Sequence, residues 1–321
     1  MPRGVTRWGA RQDGVRRFGP EPTHTIAHLS DPHLLADGRL LHAAVDVTDN
    51  LRRTLAQVER TGRRIDALVF TGDLTDLGEP EAYAVLRDVV GECAARLGCE
   101  VVWVMGNHDE RAPYARGLFD VETVAGQPQP PQDRVYYLRG LRVIALDSTV
   151  DGYHHGGLDP DQIAWLRNEL AQSAEHGSLL ALHHPPLVSA VDLMNVIGLD
   201  DQDEFADAIA GTDVRGILAG HLHHSSHGTF AGVPVSVAAA SCYSLDGGAP
   251  DGTLIGVDGR QGFDLVDVHP HGLVHTHIPL GSPPVISGFG VEVEDALAAL
   301  DPVARREAFS SKSSTWKPPA Q

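Results

Sequence analysis

Five times along this chain a short apolar run of strand length stops at a group of Asp, Asn or His side chains. Residues 25–30 lead into Asp31-Pro32-His33, 65–70 into Gly72-Asp73, 101–105 into Gly106-Asn107-His108-Asp109, 179–182 into His183-His184-Pro185, and 216–218 into Gly220-His221-Leu222-His223. Runs this short, without helical period, read as buried strands. Segments of helical period lie between them. Ala44, Val47, Leu51, Leu55 and Val58 recur on one face, Glu79-Pro80-Glu81 opens a helix that Gly98 closes, and Asp159-Pro160 caps another through Ile163, Leu166 and Leu170. This alternation predicts an α/β fold, a parallel or mixed sheet layered with helices, whose functional groups gather at the carboxyl ends of strands.

Past Gly228 the pattern changes to short strands over 233–239, 262–268 and 274–280, expected to complete a second sheet. Residues 1–23 are rich in Arg, Gly and Pro without periodicity and read as a disordered extension. From Gly281 a Pro/Gly link, a weak helix over 293–300 and a Ser/Lys/Pro tail form a partly disordered appendage. The catalytic domain is then 24–280.

The five groups supply oxygen and nitrogen donors and no thiolate, which suits a hard or borderline cation used for catalysis. Asp31 and His33, two apart beyond a strand, can share one ion. Asp73 projects from a turn that Gly72 makes sharp, so its carboxylate can bridge two ions. Asn107 offers a neutral amide oxygen beside His108, an imidazole of the kind that transfers protons near neutrality. His221 and His223 alternate about Leu222 and face the same way on extended backbone, while His183 precedes a rigid Pro185-Pro186 corner.

Composition narrows the partners. With 43 acidic against 25 basic side chains the formal charge is -18, which would repel a long polyanion and excludes extended nucleic acid as the expected substrate. A small phosphodiester can still be held locally by metal ions. No run approaches the roughly 20 apolar residues of a transmembrane segment, and no signal peptide is legible. Three cysteines without CxxC spacing imply neither a disulfide framework nor a zinc ribbon, and a reducing cytoplasm fits them. Cys93 continues the stripe Tyr83, Leu86, Val90 and reads as core.

In order and interval the five groups resemble the calcineurin-like metallophosphoesterases, whose pattern is DxH, GDxxD, GNH(D/E), HxP and GHxH. The resemblance runs over 24–280. Residues 102–105 and 182–186 look like actinobacterial, including mycobacterial, class III cyclic-nucleotide phosphodiesterases. It implies a four-layer sandwich of two mixed β-sheets flanked by helices. It also implies two metal ions per chain, iron with manganese or zinc: one held by Asp31, His33, Asp73 and His223, the other by Asp73, Asn107, His183 and His221. A homodimer is suggested, with segments 186–205 or 240–261 long enough to pack across it.

The expected activity is hydrolysis of 3',5'-cyclic nucleotides to nucleoside 5'-monophosphates by a hydroxide held between the two ions. His108, beside Asn107 but not itself a ligand, is expected to contact phosphate and protonate the leaving oxygen. Asp76, the second Asp of the GDxxD block, is expected to orient that imidazole, ahead of Asp109. The metal centre alone would equally serve 2',3'-cyclic nucleotides, glycerophosphodiesters or other diesters. A protein phosphatase of this family reads GDxxDRG, whereas residues 72–78 lack the arginine. A non-catalytic scaffold would have lost ligands, and none is missing. Among the remaining histidines, His154 and His155 read as an exposed loop pair that could rim a substrate cleft, His42 and His224 as unlikely substrate contacts, and His269, His271, His275 and His277 as one solvated strand face.

Overall fold

In the computed structural model, residues 18–124 and 127–319 are described. The expectation of a disordered extension falls, for residues 1–17, outside them. The described residues form two compact units, one within 22–57 and 65–280, the other of 18–21, 58–64 and 281–319.

In chain order the elements are β1 (His24–Leu29), α1 (Val47–Arg60), β2 (Ala67–Thr71), α2 (Pro80–Leu97), β3 (Glu100–Val104) and α3 (Arg111–Phe119). Next come β4 (Arg134–Leu138), β5 (Leu141–Leu146), α4 (Pro160–Leu170), β6 (Ser178–Leu182), α5 (Gln202–Ile209) and β7 (Val214–Ala219). Then follow β8 (Ser226–Phe230), β9 (Val233–Val237), the short pair β10 (Ser244–Leu245) and β11 (Gly256–Val257), β12 (Gly262–His269) and β13 (Gly272–Pro279). Helices α6 (Val291–Ala298) and α7 (Pro302–Ser310) belong to the smaller unit.

One sheet has the order β13-β12-β1-β2-β3, with β1, β2 and β3 parallel; the other runs β4-β5-β6-β7-β9-β8, with β5, β6, β7 and β9 parallel. Both are mixed, as expected, but 262–268 and 274–280 join the first sheet. The sequence reading had assigned them to the second. Strand β12 runs antiparallel along β1, His28 opposite Asp264, and β13 folds back on β12.

Alternation along each strand builds the layers. Ile26, Val69, Val102 and Val104 of the first sheet pack against Val143, Ala145, Leu179, Ala181 and Leu218 of the second. The intervening residues Ile144, Leu146, Leu180, Leu182 and Ile217 turn to the opposite face and meet Ile163, Leu166 and Leu170 of α4 and Phe205 and Ile209 of α5. Strands buried on both faces need no polar side chains until they end. That is why the donor groups appear abruptly at the carboxyl ends of β1, β2, β3, β6 and β7.

Helix ends follow local chemistry. Asp159 and Gln162 form a capping box on α4, and Gly98 closes α2 at φ +66°. In the smaller unit α6 stands where a helix was expected over 293–300, and a second helix, α7, follows where a tail was expected; Asp301 caps it by accepting from Val303 N and Ala304 N. None of the described helices is long and apolar enough to cross a membrane.

Candidate metal centre

The loops after β1, β2, β6 and β7 interlock through their backbones. Asp31 N–H donates to Gly72 O at 3.1 Å, His33 N–H to Asp73 O at 2.9 Å, and Gly220 N–H to His183 O at 3.0 Å. Glycine is required where these loops touch: a Cβ on Gly220 would lie 2.0 Å from Ser30 Oγ and 2.6 Å from Thr71 O. To aim their side chains inward, Asp31 (φ 50°), His33 (46°), Asp73 (48°), His221 (72°) and His223 (53°) all adopt left-handed backbone. Non-glycine residues pay ~1–3 kcal/mol for such conformations, which persist where the surroundings over-determine them.

The structure brings all seven residues assigned to metal together. Asp31, His33, Asp73 and His223 are buried, and one donor atom of each lies within 4.8 Å of the others. Asp73 Oδ2 sits 3.3 Å from His33 Nε2 and 3.4 Å from His183 Nε2. On the far side His183 Nε2 lies 3.1 Å from Asn107 Oδ1 and 3.2 Å from His221 Nδ1. One carboxylate oxygen therefore stands between two donor sets.

The outer nitrogen of each of the four rings meets an acceptor. His33 Nδ1 donates to Asp76 Oδ1 at 3.0 Å, His183 Nδ1 to Thr71 O at 2.8 Å, His221 Nε2 to Ile197 O at 2.9 Å, and His223 Nδ1 to Tyr243 O at 3.2 Å. These bonds fix the tautomers and leave the inner nitrogens as lone pairs. The inner nitrogens face each other in pairs, His33 Nε2 with His223 Nε2 and His183 Nε2 with His221 Nδ1, each at 3.2 Å. Two lone pairs at that distance repel unless a proton or a metal cation lies between them. The donors present thus fit two cations sharing Asp73.

The electrostatics follow. Burial drives the His33 and His183 rings toward neutrality, yet Asp73 foremost among the carboxylates outweighs it, lifting them to about 10 and about 9. Burial raises Asp31 to about 6. His221, desolvated and facing His183, falls to about 3. Without metal, the cluster collects positive charge as protons.

Asp76 sits otherwise than the sequence reading expected. Its carboxylate serves His33 at 3.0 Å, while His108 Nδ1 donates to the Asp76 backbone carbonyl at 3.0 Å and lies 3.5 Å from the carboxylate. His108 N–H donates to Asp73 Oδ1 at 2.8 Å, leaving its Nε2 for the cleft that the ring lines. Asp109 is a buried strut: it accepts from Leu74 N, Thr75 N, Gly106 N and Tyr83 Oη at 2.7–3.1 Å.

A cleft of about 280 Å³ opens over the cluster, with His42, His154, Met194, Ile197, Tyr243 and Leu254 in its wall. The sequence ranks His154 as an exposed loop residue able to rim a cleft and His42 as a weaker substrate contact, and the structure puts both in the cleft wall. His155 approaches Asp200 instead, at 3.7 Å. The four late histidines do not form one strand face. A turn separates His269 from His275 and His277, and His277 donates to the buried Asp264 at 2.9 Å.

Comparison with known proteins agrees with this geometry. Residues 24–225 match the profile of the calcineurin-like phosphoesterases. The chain is 48% identical over 270 residues to a cAMP/cGMP dual specificity phosphodiesterase of Mycobacterium tuberculosis, covering 84% of each chain. It is 45% identical to a probable cyclic nucleotide phosphodiesterase of Rhodococcus erythropolis, covering 92% of this chain and 96% of that one. A dimetal phosphatase from Danio rerio shares the fold, with a TM-score of 0.58 at 14% identity over 81% of this chain and 98% of the other. Donor sets built on strand ends, a shared carboxylate and a match spanning most of the sequence lead to one conclusion: this chain belongs to the calcineurin-like phosphoesterase family.

Proposed function

We propose that this chain is a binuclear metal-dependent phosphodiesterase that hydrolyses 3',5'-cyclic nucleotides, cAMP and cGMP, to nucleoside 5'-monophosphates. The observation that carries the reading is Asp73 Oδ2, placed between two inward-facing donor sets beneath an open cleft. The names of the mycobacterial and rhodococcal relatives support the substrate class. Asp31, His33, Asp73 and His223 would hold one ion, and Asp73, Asn107, His183 and His221 the other. Iron with manganese or zinc suits donors of this kind. When bound, two such ions neutralise phosphoryl oxygens and acidify water so that it attacks near neutral pH.

The chain's own groups complete the reaction. His108, its Nδ1–H held by the Asp76 carbonyl, delivers a proton from Nε2 to the departing 3' oxygen as the P–O bond breaks. Asp76 supports both His33 and His108 from one position. Asn107 and His108 border the phosphate, and Met194, Ile197 and Leu254 offer apolar surface to a base. The catalytic domain is 24–280. Three free thiols suit a reducing cytoplasm. Exposed Val188, Leu193 and Val196 in 186–205 favour a homodimer, which sedimentation would test.

The deciding experiment measures hydrolysis of 3',5'-cyclic AMP, an aryl phosphodiester and an aryl phosphomonoester with manganese added, for the native chain and Asn107→Ala. Cleavage of the cyclic nucleotide that the variant loses is the expected result. Cleavage of the aryl diester alone would move the substrate to another diester, and no metal-dependent turnover would leave a scaffold.

A further inference from the structure

His184 follows His183 in sequence and its ring packs against those of His183 and His221, with centroids 4.9 and 4.6 Å away, yet both its nitrogens are bonded to other groups and it takes no part in the mechanism above. Its ring is completely buried and fully bonded. Nε2 faces the carbonyl of His154 at 3.1 Å and must carry the proton, so Nδ1 accepts from Ser148 Oγ at 2.9 Å. One imidazole thereby ties the start of the loop after β5 to a point six residues further on. The loop closes over the ring so tightly that a Cβ on Gly156 would come 2.4 Å from His184 Cγ.

The clasped residue reaches the metal centre. His154 Nδ1 accepts from Asn107 Nδ2 at 2.9 Å. An amide whose nitrogen is occupied in this way must turn its oxygen to the other side. Asn107 Oδ1 accordingly lies 3.1 Å from His183 Nε2, among the inward donors. Without that partner, the half-exposed amide could rotate and present nitrogen, which is no metal ligand.

We propose that His184 is a positioning residue: by clasping the 148–156 loop it seats His154 against Asn107, and so fixes the amide orientation that gives the second metal ion its oxygen ligand. The inference rests on the metal-centre reading above. It is tested without substrate, so a failure to hydrolyse cyclic nucleotides would not decide it.

The experiment is calorimetric titration of the metal-free full chain with manganese, paired with amide hydrogen exchange over 148–157. His184→Phe should weaken the lower-affinity manganese site about tenfold, in the range typical for groups that orient ligands, and speed exchange in the loop. His184→Gln, whose amide can still donate to the His154 carbonyl, should stay near native. His154→Ala alters an exposed residue and should reproduce the manganese shift, with His184→Phe adding nothing further in that background. Native manganese affinity in His154→Ala overturns the proposal even if His184→Phe does not fold. Additive shifts in the double variant also overturn it, since His184 would then act by another route.

Discussion

Asp73 is the carboxylate that reaches both donor sets. One oxygen lies between His33 and His183, and the other accepts the backbone N–H of His108. Removing it therefore differs in kind from removing His108. Asp73→Ala is expected to lose both ions on dialysis, while His108→Ala keeps both and loses roughly two to four powers of ten in turnover, the usual worth of general acid catalysis. Metal analysis beside the rate constant separates the two, and unchanged turnover in His108→Ala would remove its role. At this scale the candidate ligands were legible because donor-rich triplets are conspicuous after apolar runs. The partners of Asp76 and Asp109 were not legible. Both lie within four residues of a candidate ligand, and only the folded loops show that Asp109 faces four donors while Asp76 shares its carboxylate and its carbonyl between two rings.

Elements were legible where their ends carry chemistry. Glu79-Pro80 and Gly98 bound α2, and Asp159-Pro160 starts α4 where the sequence places it. Asp159→Ala, which removes half of a capping box, should cost about 1 kcal/mol in a denaturant titration with activity retained. A variant as stable as the native chain would show that tertiary packing alone fixes that end. Helices α3 and α5 escaped notice for a physical reason. They have nine and eight residues and bury only Tyr114 and Ala115, and Phe205, Ala208 and Ile209. So few buried positions leave too little periodicity to read, and neither helix has a side-chain cap. The hairpin β12–β13 was recognised as strands but placed in the wrong sheet, because its pairing with β1 is a long-range choice that alternation cannot encode.

For the whole molecule, metal uptake is coupled to protons. With His33 raised to about 10 and His183 to about 9, the metal-free centre holds both protons at neutral pH. Those protons stabilise the metal-free fold fully below the unfolded-state value of roughly 6.5, and the stabilisation is lost as pH rises through 9 to 10. Ions that need the same lone pairs must displace them, so manganese affinity should rise with pH across the neutral range, releasing about two protons per chain. Calorimetry in buffers of different ionisation enthalpy reads that number directly, and a pH-independent affinity would contradict it. The order of the motifs conveyed a two-ion centre at strand ends. The cleft wall was legible only at His154, because His42, His154 and Tyr243 arrive on three loops whose closure only the fold determines.

The left-handed backbone at Asp31, His33, Asp73, His221 and His223 makes this centre a place where durability and activity compete. Glycine would relieve the local cost at each of these positions, and each relief would delete a donor. Selection for heat resistance alone, with turnover unscreened, should therefore erode the centre first, accumulating glycine at these five sites while the sheets between them stay intact. A library screened for both properties should gain its robustness elsewhere, in helix ends and loops, and leave the five untouched.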